Sequence, residues 1–311
     1  MVDDAFGSTD FDVVVVGGGP SGCSAGVFTA MYGLETGIFD RGNAALRRCA
    51  HLENYLGFPA GIDIKAFYDL MHAHAEEAGC DIVSDMVESV DRTEDDSAFV
   101  VETQDGRRVS AKKVVAAAWY DGEYLRPLGR DAMFEHHDHH GEEHEHFDPE
   151  YSDEDGRTPI DGLYVASPSG QRSVQAIVAA GQGAHVGRCV LEDHRHEQGY
   201  PGGVAEHYDW LRPDAEFSGE WGGRDRWREW FENEAEDDHD VDEERFVELR
   251  EQYIDRVFEA RVSDTAVEER SERGLRRLVE TLGTDRVLDA LDTRKIVEYV
   301  EGEESSNLDS T

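Results

Sequence analysis

From Phe11 to Val16 the chain reads FDVVVV, an apolar, β-branched run with no polar alternation after Asp12. Such runs suit strands covered on both faces, as in a parallel sheet. Gly17 to Gly22 interrupts it. Ser21 to Tyr32 then reads as a helix carrying the small residues Gly22, Ala25 and Gly26, Gly33 stops it, and Glu35 to Asp40 returns as a second strand. Asp63 to Gly79 has the spacing of an amphipathic helix. Asp81–Asp91, Ala98–Thr103 and Arg108–Ala118 read as strands, the last two joined by the hairpin signal Asp105-Gly106. After Tyr200-Pro201-Gly202-Gly203 the period becomes helical. Trp227, Trp230 and Phe231 share a face, and Phe246, Leu249, Tyr253 and Val257 continue at helical spacing, as do Val267, Ser271, Leu275, Leu278 and Leu282. Ser263 or Asp264 and Asp292 or Thr293 are suitable caps for the last helices.

The glycines carry the first chemistry. Gly17, Gly19 and Gly22 form a GxGxxG between strand and helix. Gly17 allows the tight turn, Gly19 lets the backbone approach a pyrophosphate, and Gly22 lets the helix pack closely. The free amides at the helix start, which Pro20 itself lacks, face the phosphate charge. Asp40 ends the second strand, where a carboxylate accepts hydrogen bonds from an adenosine ribose and repels a 2′-phosphate. Strand, glycines, helix, strand and acid in this order predict dinucleotide binding.

With these residues in place, the sequence resembles the FAD domain of thioredoxin-reductase-like flavoproteins, in the pyridine nucleotide-disulfide oxidoreductase superfamily. Leu52-Glu53-Asn54-Tyr55-Leu56-Gly57-Phe58-Pro59 is similar to the E-N-x-x-G-F-P segment that lies beside the isoalloxazine in that family. Asp161 to Ala166 and Gln175 to Gly183 match the strand and helix that close the flavin site. The resemblance implies a Rossmann-like α/β domain, a parallel sheet plus a three-stranded antiparallel meander, followed here by an all-α extension. It implies FAD as cofactor, held at Gly17, Gly19, Pro20, Ser21, Gly22, Asp40 and Arg41, with Val87 near the adenine. It adds Ala117, Asn54, Gln175 and Ala176 along the flavin. Gly181-Gln182-Gly183 with Gly187 lies inside a helix pattern and reads as a close-packing stripe.

The implied layout is a tail at 1–10, an FAD domain at 11–125 and 158–198, a His- and acid-rich loop at 126–157, a helical domain at 204–300 and a tail at 301–311. The sequence departs from the family in several places. Between Trp119 and Thr158 there are only about 40 residues, too few for an NADPH domain of ordinary size. No CxxC occurs, Ala117-Ala118-Trp119 stands where the family has A-T-G, and Ser167-Pro168 stands where it has G-D.

Other residues leave alternatives open. Cys49, flanked by Arg47 and Arg48, reads as a packing residue, with redox participation as the weaker alternative. His136, His137, His139, His140, His144 and His146 lie among carboxylates in a low-complexity stretch, read as a solvated loop, with adventitious or regulatory metal binding as the weaker alternative. No specific metal site is expected. The aromatic stripe reads as the core of a helical bundle, with a lid over a substrate pocket or a homodimer face as alternatives.

Composition narrows the function classes. Seventy acidic against 30 basic side chains give a formal charge of −40 at pH 7. A surface this negative repels nucleic-acid phosphates and anionic lipid, so neither is an expected partner. Positive charge is almost all arginine, with lysine only at 65, 112, 113 and 295. Molar salt screens such repulsion to a Debye length of about 3 Å, which points to a halophilic, haloarchaeal-type cytoplasm. No span has membrane character and no secretory signal is visible. The expected function is an FAD-dependent oxidoreductase drawing electrons from diffusing NAD(P)H or from a redox partner such as ferredoxin, with an unidentified substrate. The rivals are a redox-inactive dinucleotide-binding module and a flavin-dependent small-molecule oxygenase or dehydrogenase.

Overall fold

Val13 to Val16 lose nearly all contact with solvent in β1 (Phe11–Val16), and alternate side chains enter two different cores. Val14 and Val16 pack with Phe39, Phe99 and Leu163 on one face. Val13 and Val15 pack with Ala25, Ile38, Val115 and Val186 on the other. This double burial explains the unbroken apolar run. The computed structural model describes residues 10–118, 122–139, 142–148, 150–166, 175–207, 211–235 and 241–308. Trp119, Ser167, Pro168, Trp210, residues 1–9 of the amino-terminal tail and the side chains of 136–146 lie outside the described residues.

After β1 come α1 (Pro20–Met31), β2 (Thr36–Phe39), α2 (Ile64–Ala78), β3 (Asp81–Val83), β4 (Val87–Arg92), β5 (Phe99–Thr103) and β6 (Arg108–Ala116). The chain continues through β7 (Phe134–His139), β8 (Glu142–Phe147), β9 (Leu163–Val165) and α3 (Ala176–Glu197). β1 lies parallel between β2 and β6, and β3 extends the parallel edge beyond β2. β6 divides its other edge. Its first part pairs antiparallel with β5, which pairs antiparallel with β4, while Val114–Ala116 pair parallel with Leu163–Val165 of β9. This is an α/β fold with a parallel sheet and a three-stranded antiparallel meander.

α1 and α3 cover the second core and touch through their glycines. A Cβ on Gly183 would lie 1.9 Å from the Ser21 carbonyl oxygen, and one on Gly187 would lie 2.9 Å from that of Ala25. Gly181 faces open space. α2 has the ends its sequence announces: Asp63 accepts from the Ala66 amide, and Gly79 closes the helix in the left-handed conformation.

Three expectations need correction. The strand read over 81–91 is two strands, because the chain turns at Ser84–Met86 and moves from the β2 edge to the meander. The 126–157 segment is not all loop: β7 and β8 pair antiparallel from Phe134↔Phe147 to His139↔Glu142, with Phe134 and Phe147 in edge-to-face contact at the base. Such a ribbon needs only backbone pairing, which its polar sequence does not advertise. The carboxy-terminal stretch is helical through Leu308.

The chain divides into two compact units, 1–261 and 262–311, a later cut than 204. The first unit includes α4 (Gly203–Glu206), α5 (Arg224–Glu234) and α6 (Glu243–Glu259), which enclose a third core of Tyr200, Val204, Trp227, Phe231, Leu249 and Tyr253. The aromatic stripe is thus core. The second unit holds α7 (Asp264–Leu282), capped by Ser263, α8 (Thr284–Asp289) and α9 (Thr293–Leu308). Among the described residues no helix is long and apolar enough to cross a membrane.

Candidate nucleotide-binding site

At the carboxyl ends of β1 and β2 the backbone opens into a cavity of about 840 Å³. Gly17 holds φ +114°, and a Cβ there would meet Ala117 and Ala118 backbone at 2.9 Å, so the turn presses directly on the end of β6. Gly22 packs more tightly: its Cβ would stand 1.8 Å from the Gly17 carbonyl oxygen. Gly19 differs from both. The nearest atom to its Cβ position is Ala44 Cβ at 3.8 Å, and the residue fronts the cavity.

Two helix starts reach this cavity. α1 begins at Gly19-Pro20 and α3 at Gln175-Ala176, and neither N-cap residue, Gly19 or Gln175, caps its helix with a side-chain hydrogen bond. Gln175 meets the other side of the site through Asn54, whose Nδ2 donates to Gln175 Oε1 at 2.7 Å. Asp40 is buried at the end of β2. Its amide donates to the Val83 carbonyl, and its Oδ1 accepts from the Gly42 amide at 2.9 Å. Arg41 lines the same wall, with Nη1 directed at Met86 Sδ.

Of the residues singled out from sequence, Gly17, Gly19, Pro20, Ser21, Asp40, Arg41, Asn54, Ala117, Gln175, Ala176 and Cys49 line this one cavity. Gly22 lies behind it, holding α1 against the turn. Val87 does not reach it: it is buried in the first core, and the turn before it brings Asp85 and Met86 to the wall instead.

Residues not singled out also contribute. His72 on α2 places Nε2 3.0 Å from the Gly18 carbonyl oxygen and 3.5 Å from Asp40 Oδ2, bracing the glycine turn from beneath. A helical period identifies the face of α2 but not its tertiary neighbour. Arg48, His51 and Glu53 also line the cavity.

The cysteines separate by environment. Burial pushes the Cys23, Cys80 and Cys189 thiols up to about 12, so each carries its proton at neutral pH unless a metal ion displaces it. Cys49 is partly exposed, lines the cavity, and directs Sγ to the His51 carbonyl at 3.1 Å. Burial, followed by the Asp40 charge, also raises the Tyr68 phenol.

No protein-family model matches the chain. It is 31% identical over 110 residues to the thioredoxin reductase of Aquifex aeolicus, covering 35% of this chain and 33% of that protein. It is 36% identical over 87 residues to the thioredoxin reductase of Streptomyces clavuligerus, 27% of each. A Bacillus subtilis NADH dehydrogenase is 31% identical over 106 residues, 34% of this chain and 20% of that protein. The chain thus spans about a third or less of the length of these relatives. Among solved structures it is similar to a thioredoxin reductase from Gloeobacter violaceus, with TM-score 0.49, 18% identity, and coverage of 66% of this chain and 98% of that one. The T. acidophilum thioredoxin reductase gives TM-score 0.45 and 19% identity over 60% of this chain and 100% of that one. Over about a third of its length the chain is similar in sequence to thioredoxin reductases.

Proposed function

We propose that this protein is an FAD-dependent oxidoreductase that takes electrons from NAD(P)H or from a small redox protein such as a ferredoxin and passes them to an unidentified substrate. The observation that carries the reading is the cavity itself. It runs from a bare glycine turn with an uncapped helix start to the Asn54–Gln175 pair, and it holds a buried carboxylate. Its volume lies within the range of cofactor sites.

The residues present fit an adenine dinucleotide. Gly19 leaves room where any side chain would project into the cavity, and the α1 amides supply donors for a diphosphate. Asp40 would accept from the ribose hydroxyls. Asn54, Gln175 and the α3 start would take the polar edge of the flavin. When bound, the flavin supplies the electron chemistry, and the protein supplies position and electrostatics. Gly17 and Gly22 fix the turn, His72 braces it, and Ala117, Ala118 and Leu52 exclude water from the wall. The strongly acidic composition supports a high-salt cytoplasmic setting, and the charge makes nucleic acid and lipid unfavourable partners.

The test is spectroscopic. Protein purified in molar salt should be yellow, and anaerobic addition of NADH, NADPH or reduced ferredoxin should bleach it with one of the three. A colourless protein that takes up no FAD would overturn the reading. The second reading, a redox-inactive FAD module, is favoured by the isolation of Cys49: Cys23, Cys80 and Cys189 do not line the cavity. Colour that no donor bleaches would select it.

A further inference from the structure

The return limb of the fold carries a second cluster of chemically active side chains. His185 and Cys189 stand one turn apart on α3, and the turn before β9 brings Asp155 against them. Asp155 Oδ1 lies 2.7 Å from His185 Nε2, and Cys189 Sγ lies 3.9 Å from the same nitrogen. All three donor atoms fall within 4.8 Å of one another. The geometry points to a divalent transition-metal site, zinc(II) by ligand chemistry, with Asp155, His185 and Cys189 as its protein ligands.

The distances suit a tetrahedral ion. Bonds of about 2.3 Å to sulfur and about 2.0 Å to nitrogen place those two atoms roughly 3.5 Å apart, near the separation already present. The oxygen and nitrogen need to open by roughly half an ångström, which the half-exposed Asp155 and His185 side chains can supply. One oxygen, one nitrogen and one sulfur donor together favour a borderline metal over calcium or magnesium, which take oxygen.

This cluster is built into a frame. Asp153 Oδ1 accepts from the amides of Asp155 and Arg157, closing the turn. Gly156 holds φ +81°, and a Cβ there would be 2.6 Å from the Val165 carbonyl and 2.7 Å from Val186, so the turn lies flush on β9 and α3. Arg157 binds the Asp193 carboxylate through Nε and Nη2 and reaches Asp155 Oδ2 with Nη1 at 2.9 Å, while Tyr164 donates to Asp193 at 2.7 Å. These bonds fix the second oxygen of Asp155, as outer partners do in metal sites. Binding would release the Cys189 proton to solvent and leave one coordination position to water on the exposed His185 side. The ion would then tie the 153–157 turn to α3 with no part in electron transfer.

Cobalt(II) added to the full-length protein is the test, because a thiolate ligand gives a sulfur-to-metal charge-transfer band that histidine and carboxylate alone do not. We expect a stoichiometric band that survives Cys49→Ser, disappears in Cys189→Ser, and needs about 100-fold more metal in the exposed-site variant His185→Ala. Zinc should raise the thermal midpoint of wild type but not of His185→Ala. Absence of the band, its persistence in Cys189→Ser, or an unchanged titration in His185→Ala would each overturn the site. Cobalt bound by the histidine-rich ribbon alone would show no charge transfer and would count against it.

Discussion

Gly18 and Asp40 share a space that admits one side chain: a Cβ on Gly18 would stand 2.5 Å from Asp40 Cβ and 2.8 Å from its Cγ. The middle residue of the turn is therefore glycine so that the carboxylate can settle beneath it, with Oδ1 on the Gly42 amide and Oδ2 toward His72. Asp40→Asn keeps the shape and removes the charge. It should weaken FAD affinity about tenfold or more, the scale of one charge-assisted hydrogen bond. Flavin release followed by fluorescence measures it, and unchanged affinity would remove Asp40 from the ribose role.

Gly19 and Gly22 should respond oppositely to alanine. At Gly22 the new methyl meets a backbone carbonyl at 1.8 Å, so Gly22→Ala should cost roughly 1–3 kcal/mol of stability or more and lose cofactor with it. At Gly19 the backbone is extended and the methyl has room, so Gly19→Ala should unfold near the wild-type midpoint while binding FAD poorly. Thermal unfolding in molar salt beside flavin titration separates the two. Equal stability loss would mean that Gly19 is packed rather than exposed to ligand.

The contact between α1 and α3 is open to the same test. Gly183→Ala drives a methyl toward the Ser21 carbonyl at 1.9 Å and should lower stability by about 1–3 kcal/mol. Gly181→Ala meets nothing within 4 Å and should be neutral or slightly stabilising, through helix propensity. Denaturant midpoints of the pair measure the difference.

Glu251 on α6 gives a pH dependence. Hydrogen bonds from Arg228, then Arg224 and Arg250, hold its carboxyl at about 2 against an ordinary 4.5. A carboxyl depressed in the folded state stabilises the fold above its unfolded value and loses that contribution as pH falls through its folded value. Glu251→Gln should therefore flatten stability against pH between about 4.5 and 2, with little change of slope above that window. High salt and the partial exposure of the pair will shrink the effect, so unfolding curves at several pH values belong at the lowest salt that keeps the protein folded.

The sequence makes the glycine turn legible because its signals are local. A continuous apolar run means two buried faces, glycine at Gly17 means positive φ, and Asp63 with Gly79 brackets a helix. Residues that depend on tertiary meeting are hidden. Nothing in Ser84-Asp85-Met86 says that the chain changes partner strand there and faces Asp85, not Val87, to the cavity. Nothing along α2 says that His72 lies under Gly18. Asp155 is distant in sequence from His185 and Cys189, whose one-turn spacing was the sole linear hint of that cluster. The β7–β8 ribbon escaped because its polar sequence lacks the alternation that marks a half-buried strand.

The split edge of β6 has an evolutionary consequence. The chain leaves this strand at Ala116 and returns through β9 beside it, and within this excursion the Phe134–Phe147 contact clasps the base of the β7–β8 ribbon. Sequence grafted beyond that clasp need not disturb the register of either strand, so β6 and β9 can keep their alignment while the ribbon is lengthened, trimmed or exchanged. The fold thus offers an attachment point at which chain length can change without rebuilding the sheet.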